Sequence, residues 1–475
     1  MEVYIKPFTL FEINRQWFLF KIRSLMHHAV LREDVDTLLK IKDQSVLQAN
    51  DSLMTILKRY RLIAENEWNA KEEQKRLIST YKSHHQNHVI STMELFVAQS
   101  CNMACRYCYG SDGSYHQAGI MDIATAKQSI DWLYMHTDDP EKATIVFFGG
   151  EPLMNYPVIR QSIEYAEAKF GEGKISYGMT TNMTLLTDEY LDFFATLPKF
   201  KLLVSFDGPR ELQNYQRPLL DGRDSYDICT ERIKAALQRG IFCTGRATVY
   251  ADTDRKAVVN EMKKLGLPIW QLTPASGCAA DDIKRDNTSQ LHKMWIENMP
   301  KQIVQFIDAI KQRDKQTADS LMEDDDLRKI ILAGVSGAKI TRNFPGCSAG
   351  HKQVAISATG DVYPCHRFVG MPDFCFGNLL ENNLQEDLLQ EGWHEFHSSL
   401  IERNPSCADC FLRYSCSGEC YYQCYSDGPQ KSIYSIPDYF CDSVKMHTML
   451  EIYVCHMLNA EDKRWYFTRQ YVQSN

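Results

Sequence analysis

The sequence predicts an α/β protein built on an open, TIM-like (β/α)6 partial barrel, with a small α+β module in front and a cysteine-rich domain behind. Three observations predict it. Six short β-rich runs alternate with helix-period segments between residues 91 and 312, the pattern of parallel strands covered by helices. Glycines or short polar residues follow the ends of several runs, where such folds carry their sites. Of sixteen cysteines, three fall within 101–108 and nine between 347 and 441.

Composition narrows the class. At 475 residues the chain exceeds one ordinary core and suggests about three domains. Hydrophobic residues at 44% and charged residues at 24% are those of a globular protein. No apolar run approaches the roughly 18 residues a membrane span needs, and Met1-Glu-Val-Tyr-Ile-Lys-Pro lacks a basic n-region and apolar h-region. A cytoplasmic location without a membrane partner is therefore expected. In such a reducing compartment clustered cysteines indicate metal or catalysis, not disulfides. Cys229, Cys243, Cys278 and Cys455 stand apart and read as buried small hydrophobes. A net charge of -8 without a basic block argues against nucleic-acid binding.

Residues 1–90 form the first unit. Gln16-Trp-Phe-Leu-Phe-Lys-Ile-Arg23 reads as a strand, His27-His-Ala-Val-Leu31 as a second, and Asp34 as the N-cap of a helix over Val35–Ile41. Two strands followed by helices suggest a winged-helix-like module; a helical extension that only packs on the main domain is the other reading.

Over 91–285 the predicted strands are Thr92–Gln99, Ala143–Phe148, Ile175–Thr181, Lys201–Phe206, Phe242–Tyr250 and Pro268–Thr273. Each precedes a helical segment. In Tyr156–Phe170, for example, Ile159, Ile163, Tyr165 and Ala166 form one apolar face. Six such units fall short of the eight that close a barrel. Residues 286–344 read as a helical bridge with a buried stripe of Met294, Ile303, Phe306 and Ile310. Within it the acidic run Glu323-Asp-Asp-Asp326 reads as a solvated loop or helix start.

The first cysteine group, Cys101-Asn-Met-Ala-Cys105-Arg-Tyr-Cys108, follows directly on the first strand. Three thiolates so close together cannot all pair, but they can hold three corners of a cubane iron-sulfur cluster and leave its fourth iron open. A structural zinc loop is the alternative, and it lacks a nearby fourth cysteine. The C-x3-C-x-(aromatic)-C pattern, with Tyr107 as the aromatic, resembles the signature of the radical S-adenosylmethionine (SAM) enzymes. The resemblance implies that Cys101, Cys105 and Cys108 are catalytic cluster ligands, and that SAM chelates the open iron and is split to a 5'-deoxyadenosyl radical.

Candidate SAM contacts lie at the later strand ends. Gly149-Gly150-Glu151-Pro152 resembles the family's GGEP segment, whose implied partner is the SAM amino group. The two glycines allow close backbone approach and the carboxylate suits an ammonium. Thr180-Thr181-Asn182 and Ser205-Phe206-Asp207-Gly208 offer Thr181, Asn182, Ser205 and Asp207 to ribose hydroxyls or substrate, with helix caps and turns as the alternative. Arg246 suits the SAM carboxylate as a planar fork, or else a buried salt bridge. Leu272, in Gln271-Leu-Thr-Pro274, offers an apolar edge for adenine.

The second array spans 345–445: Cys347, Gly360, Cys365, then Cys407-x2-Cys410-x5-Cys416-x3-Cys420, and Cys441. A pair of zinc ribbons is the bland reading, but it leaves three of these cysteines without a purpose. The order is similar to that of the SPASM domain, a C-terminal extension of radical SAM maturases. The resemblance implies two auxiliary [4Fe-4S] clusters, three clusters in all. Cys407, Cys410, Cys416 and Cys441 would hold the outer one, and Cys347, Cys365 and Cys420 the inner one. Its fourth iron is then open or closed by Cys375 or Cys424. Residues 446–475 read as a C-terminal tail or helix.

The expected function is that of a radical SAM/SPASM peptide maturase. Such an enzyme takes hydrogen from a residue of a ribosomally made precursor peptide and produces a carbon-carbon, ether or thioether crosslink or a related change. The N-terminal module resembles the peptide-recognition domain of such enzymes, which adds a leader strand to a sheet edge. A flavodoxin or ferredoxin would supply electrons. The alternatives are an anaerobic sulfatase-maturating (formylglycine-forming) enzyme and a non-catalytic iron-sulfur electron carrier.

Overall fold

The computed structural model describes residues 1–467 apart from 68, 70–71, 73–74, 76–78, 80–88, 277–286, 342–346, 351, 382, 386–406, 408 and 417. Cys278 lies outside the described residues.

The N-terminal unit has more strands than expected: β1 (Glu2–Ile5), β2 (Phe8–Ile13), β3 (Gln16–Lys21) and β4 (Met26–Val30), then α1 (Val35–Ile41), β5 (Val46–Gln48), α2 (Asp51–Arg59) and β6 (Ile63–Ala64). β2, β3 and β4 form one antiparallel sheet, and β1 lies between β5 and β6 in another. β2 carries no turn signal in the sequence, because its hairpin turn, Asn14-Arg15, has both φ values positive (49° and 63°) without the usual glycine. β1 is short and depends on partners more than 40 residues away. Asp34 does not cap α1. Its buried carboxylate instead accepts from Arg59 at 2.5 Å and from the Tyr60 hydroxyl at 2.8 Å.

The six predicted parallel strands are present as β7 (Thr92–Gln99), β9 (Thr144–Gly149), β10 (Ser176–Thr181), β11 (Phe200–Ser205), β12 (Phe242–Val249) and β13 (Ile269–Pro274). They stand side by side in chain order, and the short β8 (Gly119–Ile120) pairs with β7. Outside them lie α3 (Ile123–His136), α4 (Tyr156–Phe170), α5 (Asp188–Ala195), α6 (Arg210–Gln216), α7 (Tyr226–Gln238) and α8 (Arg255–Lys264). α4 illustrates the local code: Pro157 sits in its first turn and Gly171, with φ 97°, ends it. Between strands and helices runs the largest core, with Leu95, Ile145, Phe147, Met179, Leu202 and Ile233 all inside it.

Beyond β13 come α9 (Asn287–Lys311), α10 (Lys315–Leu321) and α11 (Asp325–Val335). Ile303, Phe306 and Ile310 are buried as expected, but Met294 is 45% exposed, and Met299 and Ile307 complete the stripe instead. Of the two readings of the acidic run, the helix start holds and the solvated loop does not. Asp324 caps α11 by accepting from the Leu327 amide at 2.9 Å, while Asp326 and Glu323 reach Arg255 and Lys256 of α8 at 2.7 and 3.1 Å. Those ion pairs pin the helical bridge to the barrel.

The cysteine-rich region is joined to the barrel sheet itself. β14 (Gln353–Ile356) runs parallel to β7, and β15 (Val362–Tyr363) closes a hairpin on it. One edge of the open barrel is thus covered, which removes unpaired backbone groups from solvent. α12 (Tyr421–Asp427), α13 (Asp438–Met457) and α14 (Ala460–Tyr466) follow. α13 packs with α9, α11 and the outer face of β3, where Phe18 and Phe20 share a core with Ile303, Ile331 and Tyr453. No helix among the described residues is long and apolar enough to cross a membrane.

Candidate active site

The loop after β7 carries Cys101, Cys105 and Cys108 onto the C-terminal end of the sheet, where all three line one cavity. Including the part open to solvent, about 970 Å³ of empty space lies there. Gly149 and Gly150 from β9, Thr181 and Asn182 from β10, Ser205 from β11, Arg246 from β12 and Thr273 to Ser276 from β13 complete the wall, with Tyr107 beside the cysteines. Parallel strands aligned in register bring these residues, far apart in sequence, to one rim.

The loop is held by backbone contact. Gly150 and Glu151 amides donate to the Ala98 and Ser100 carbonyls, each at 2.9 Å. A Cβ on Gly149 would stand 2.0 Å from the Ala98 oxygen, and one on Gly150 2.3 Å from the Ser100 oxygen. The glycines are therefore demanded by chain packing as well as by any ligand.

Two expected contacts point elsewhere. Glu151 does not line the cavity: it is fully buried, and it accepts from the Asn182 and Leu153 amides at 2.8 and 3.2 Å and from the Thr181 hydroxyl at 2.8 Å. Burial pushes its carboxyl up to about 7 against those bonds. Glu151 thus ties the β9 and β10 ends together, with three of its carboxylate's about four acceptor positions taken, while Pro152 starts a buried turn. Asp207 is also inside, accepting from the Tyr107 hydroxyl and the Thr248 amide and pairing with Arg217 at 3.0 Å. Its role is to fix Tyr107 and Arg217, which do face the cavity.

Leu272 also departs from expectation. Alternation along β13 turns it to the other side, into a separate cavity with Leu291, His292 and Trp295 of α9. Thr181, Asn182, Ser205 and Arg246 remain at the rim. Asn182 bonds Asn102 at 2.9 Å and approaches the Cys101 sulfur at 3.9 Å.

Electrostatically the site is cationic. Among the described residues the Arg246 guanidinium has no hydrogen-bond or ion-pair partner. Burial, with Arg367 and Arg217 nearby, lowers its pKa. A buried guanidinium without an anion is unfavourable, so the place suits a carboxylate. Burial also pushes the Cys101 thiol up to about 12 and Cys105 up to about 11. Thiolates here need a compensating positive charge, which the irons of a cluster provide. None of the three is in a disulfide, so the donor set fits a cluster with one open corner. Among the described residues no group of three or more Cys, His, Asp or Glu side chains has the geometry to hold a single metal ion.

In the cysteine-rich region Cys347, Cys365 and Cys420 lie within electrostatic reach of one another, as do Cys407, Cys410, Cys416 and Cys441. Cys424 stands near both Cys420 and Cys441. Cys375 is turned to the Gly377 carbonyl at 3.5 Å.

Comparison with known proteins decides the class. The radical SAM superfamily model matches residues 95–269, and the SPASM model, an iron-sulfur cluster-binding domain, matches 347–411. The chain carries a radical SAM domain followed by a SPASM domain. An uncharacterised protein of Methanothermobacter thermautotrophicus is 29% identical over 38% of this radical SAM chain and 65% of its own length, so the match spans just under two thirds of that relative. A serine-type anaerobic sulfatase-maturating enzyme of Bacteroides thetaiotaomicron is 25% identical over 68% of the chain and 80% of its own. Among solved structures, anSMEcpe with bound AdoMet and Cp18Cys peptide aligns over 78% of this chain and all of its own, with TM-score 0.59 and 18% identity. Streptococcus suis SuiB bound to precursor peptide SuiA aligns over 93% of this chain and all of its own, with TM-score 0.50 and 14% identity.

Other residues of this radical SAM site carried no motif. Arg217, in the loop after α6, places its guanidinium over the Tyr107 ring at 5.1 Å and 3.9 Å from the Cys105 sulfur. Arg367 enters from the SPASM side, stacked between Tyr109 at 5.0 Å and Tyr422 at 5.3 Å. A cation two residues past Cys365 was the available signal.

Proposed function

We propose that this radical SAM/SPASM enzyme is a peptide maturase, with SAM in the cysteine-lined cavity and a ribosomally made peptide as substrate. The observation that carries this is the meeting, in one cavity, of three unpaired thiols and the unpartnered Arg246. Cys101, Cys105 and Cys108 hold the first cluster, Arg246 takes the SAM carboxylate, and Ser205, Thr181 and Asn182 line the path of its ribose. Tyr107, locked by Asp207, would form part of the wall that receives it. When bound, a [4Fe-4S] cluster at these thiols supplies the electron that splits SAM into methionine and a 5'-deoxyadenosyl radical, and two auxiliary clusters supply an acceptor for the substrate's second electron. Cys407, Cys410, Cys416 and Cys441 hold the outer auxiliary cluster; Cys347, Cys365 and Cys420 hold the inner one, with Cys424 better placed than Cys375 to complete it.

An alignment to SuiB over 93% of the chain extends into the first 90 residues, and SuiB is there described with its precursor peptide. This supports peptide recognition by the N-terminal module. The likeness to sulfatase-maturating enzymes over 68% of the chain favours formylglycine formation as a second reading. Anaerobic reconstitution, with a flavodoxin or ferredoxin as reductant, SAM and candidate peptides, tests both. Loss of two hydrogens without hydrazide reactivity is expected for a crosslink, and a hydrazide-reactive aldehyde supports the second reading. Failure to form 5'-deoxyadenosine at all would overturn both. Replacing Cys101, Cys105 and Cys108 by alanine should remove about four irons per chain and all SAM cleavage.

A further inference from the structure

The N-terminal unit gathers basic groups that the radical chemistry does not use. Lys21 ends β3. Strand alternation puts Phe18 and Phe20 on the face packed against the C-terminal helices, and Leu19 with Lys21 on the face toward the unit's own core. Only 3% of Lys21 is exposed, yet among the described residues its ammonium has neither a hydrogen-bond acceptor nor an ion-pair partner.

A second orphan group adjoins it. In the β3–β4 register Leu19 faces His28 and Lys21 faces Met26, so His28 is the diagonal neighbour of Lys21 on one face. Its Nε2 is buried without a partner. The charged groups among the described residues that act on these two are all basic: Lys6 and Arg61 on Lys21, and Lys21, His27 and Arg61 on His28. The unit does satisfy buried charge elsewhere, as Asp34 shows with Arg59 and Tyr60. A buried ammonium, an orphan imidazole nitrogen and two further cations gathered without an acid are unfavourable in the free protein. One anion resolves all of it, since a carboxylate offers two oxygens and about four acceptor positions.

We propose that Lys21, His28 and Arg61 form a carboxylate pocket that takes an acidic side chain of the peptide substrate. This rests on the peptide-maturase reading. β4 is an edge strand of its sheet, so a peptide strand added alongside it runs past His28 and delivers its side chains, alternately, to the Lys21 face. Aspartate or glutamate in the recognition segment is the class of residue selected.

The test uses the full-length chain and two labelled, capped peptides of alternating valine and threonine that differ by one central glutamate or glutamine. Wild type should bind the glutamate peptide about tenfold or more tightly than its glutamine twin, the discrimination of a charge-assisted hydrogen bond. Lys21→Met, and Arg61→Gln at its exposed position, should reduce the ratio to about twofold or less. Because an unpaired buried charge is being removed, Lys21→Met should also raise the unfolding midpoint, the opposite of what a structural lysine would do. Equal binding of both peptides by wild type overturns the proposal. So does a pocket that takes inorganic phosphate while ignoring the glutamate, or a lowered midpoint for Lys21→Met with the ratio intact. Discrimination without any peptide modification would leave the pocket standing and sink the maturase reading; modification without discrimination would do the reverse.

Discussion

Arg217 lies 3.0 Å from Asp207, with the carboxylate wholly inside the protein and only 9% of the arginine side chain exposed. The same guanidinium covers the Tyr107 ring and approaches Cys105, so one ion pair braces two residues of the cysteine loop. Removing one member leaves the other charge buried and unpaired. Asp207→Asn or Arg217→Met should each cost about 3 kcal/mol or more of stability, read from chemical unfolding. Arg217→Lys should not restore it, because a single ammonium cannot address Asp207 and Cys105 together as the planar fork does.

Gly150 tests backbone packing. The atoms that a Cβ would meet are main-chain carbonyls of Ser100 and Gly113, at 2.3 and 2.7 Å, and neither can swing aside. Gly150→Ala should therefore displace the cysteine loop, lower stability by about 1–3 kcal/mol and cut iron loading at the first site, while loading of the SPASM cysteines is retained. Iron analysis and unfolding curves on the same sample check it.

Arg246 should behave in the opposite way. With no partner to orphan, Arg246→Gln should leave the unfolding midpoint unchanged or slightly higher. SAM binding should weaken by about 10- to 100-fold, the loss of a charge-assisted pair. Equilibrium dialysis with SAM, at constant iron content, separates this from a folding defect. Unaltered SAM affinity would remove the arginine from the cofactor site.

Acid should loosen the contact between β4 and α13. His27 Nδ1 lies 2.9 Å from His456 Nε2, and His27 Nε2 lies 3.2 Å from the Ala338 carbonyl. Packing of the His456 ring, then His27 and His28 beside it, push its pKa down to about 4. Its folded pKa is thus below the unfolded value near 6.5, so the unfolded chain binds more protons between the two. Stability is fully present above about pH 6.5 and declines as pH falls toward 4. Hydrogen exchange at pH 7 and pH 5 should show faster opening of β4 at the lower pH, and His456→Gln should flatten that difference.

Much of the architecture was legible in the chain because its signals are local. Strand ends for the six barrel strands came within a residue or two of the structure, since β-branched runs and the following helical period both lie within a short window. α4 was readable to the residue from its apolar face, and the structure shows Pro157 and Gly171 at its two ends. β1 and β2 were not readable, because their partners and a glycine-free turn supply what their own residues lack.

Sequence by itself determined the chemistry on offer: the spacing of Cys101, Cys105 and Cys108, the GGEP segment and the seven-cysteine SPASM order are covalent facts of neighbouring residues. Tertiary structure decided which side chains face the cavity. Glu151 and Asp207 carry motif-like positions yet are buried and bonded to Asn182 and Arg217, and Leu272 faces the opposite side of its strand. Arg217 and Arg367 arrive from unrelated segments. The physical reason is that a motif specifies residue type at a spacing, whereas the direction of a side chain and the identity of its partner depend on strand register and on groups brought near by distant parts of the chain.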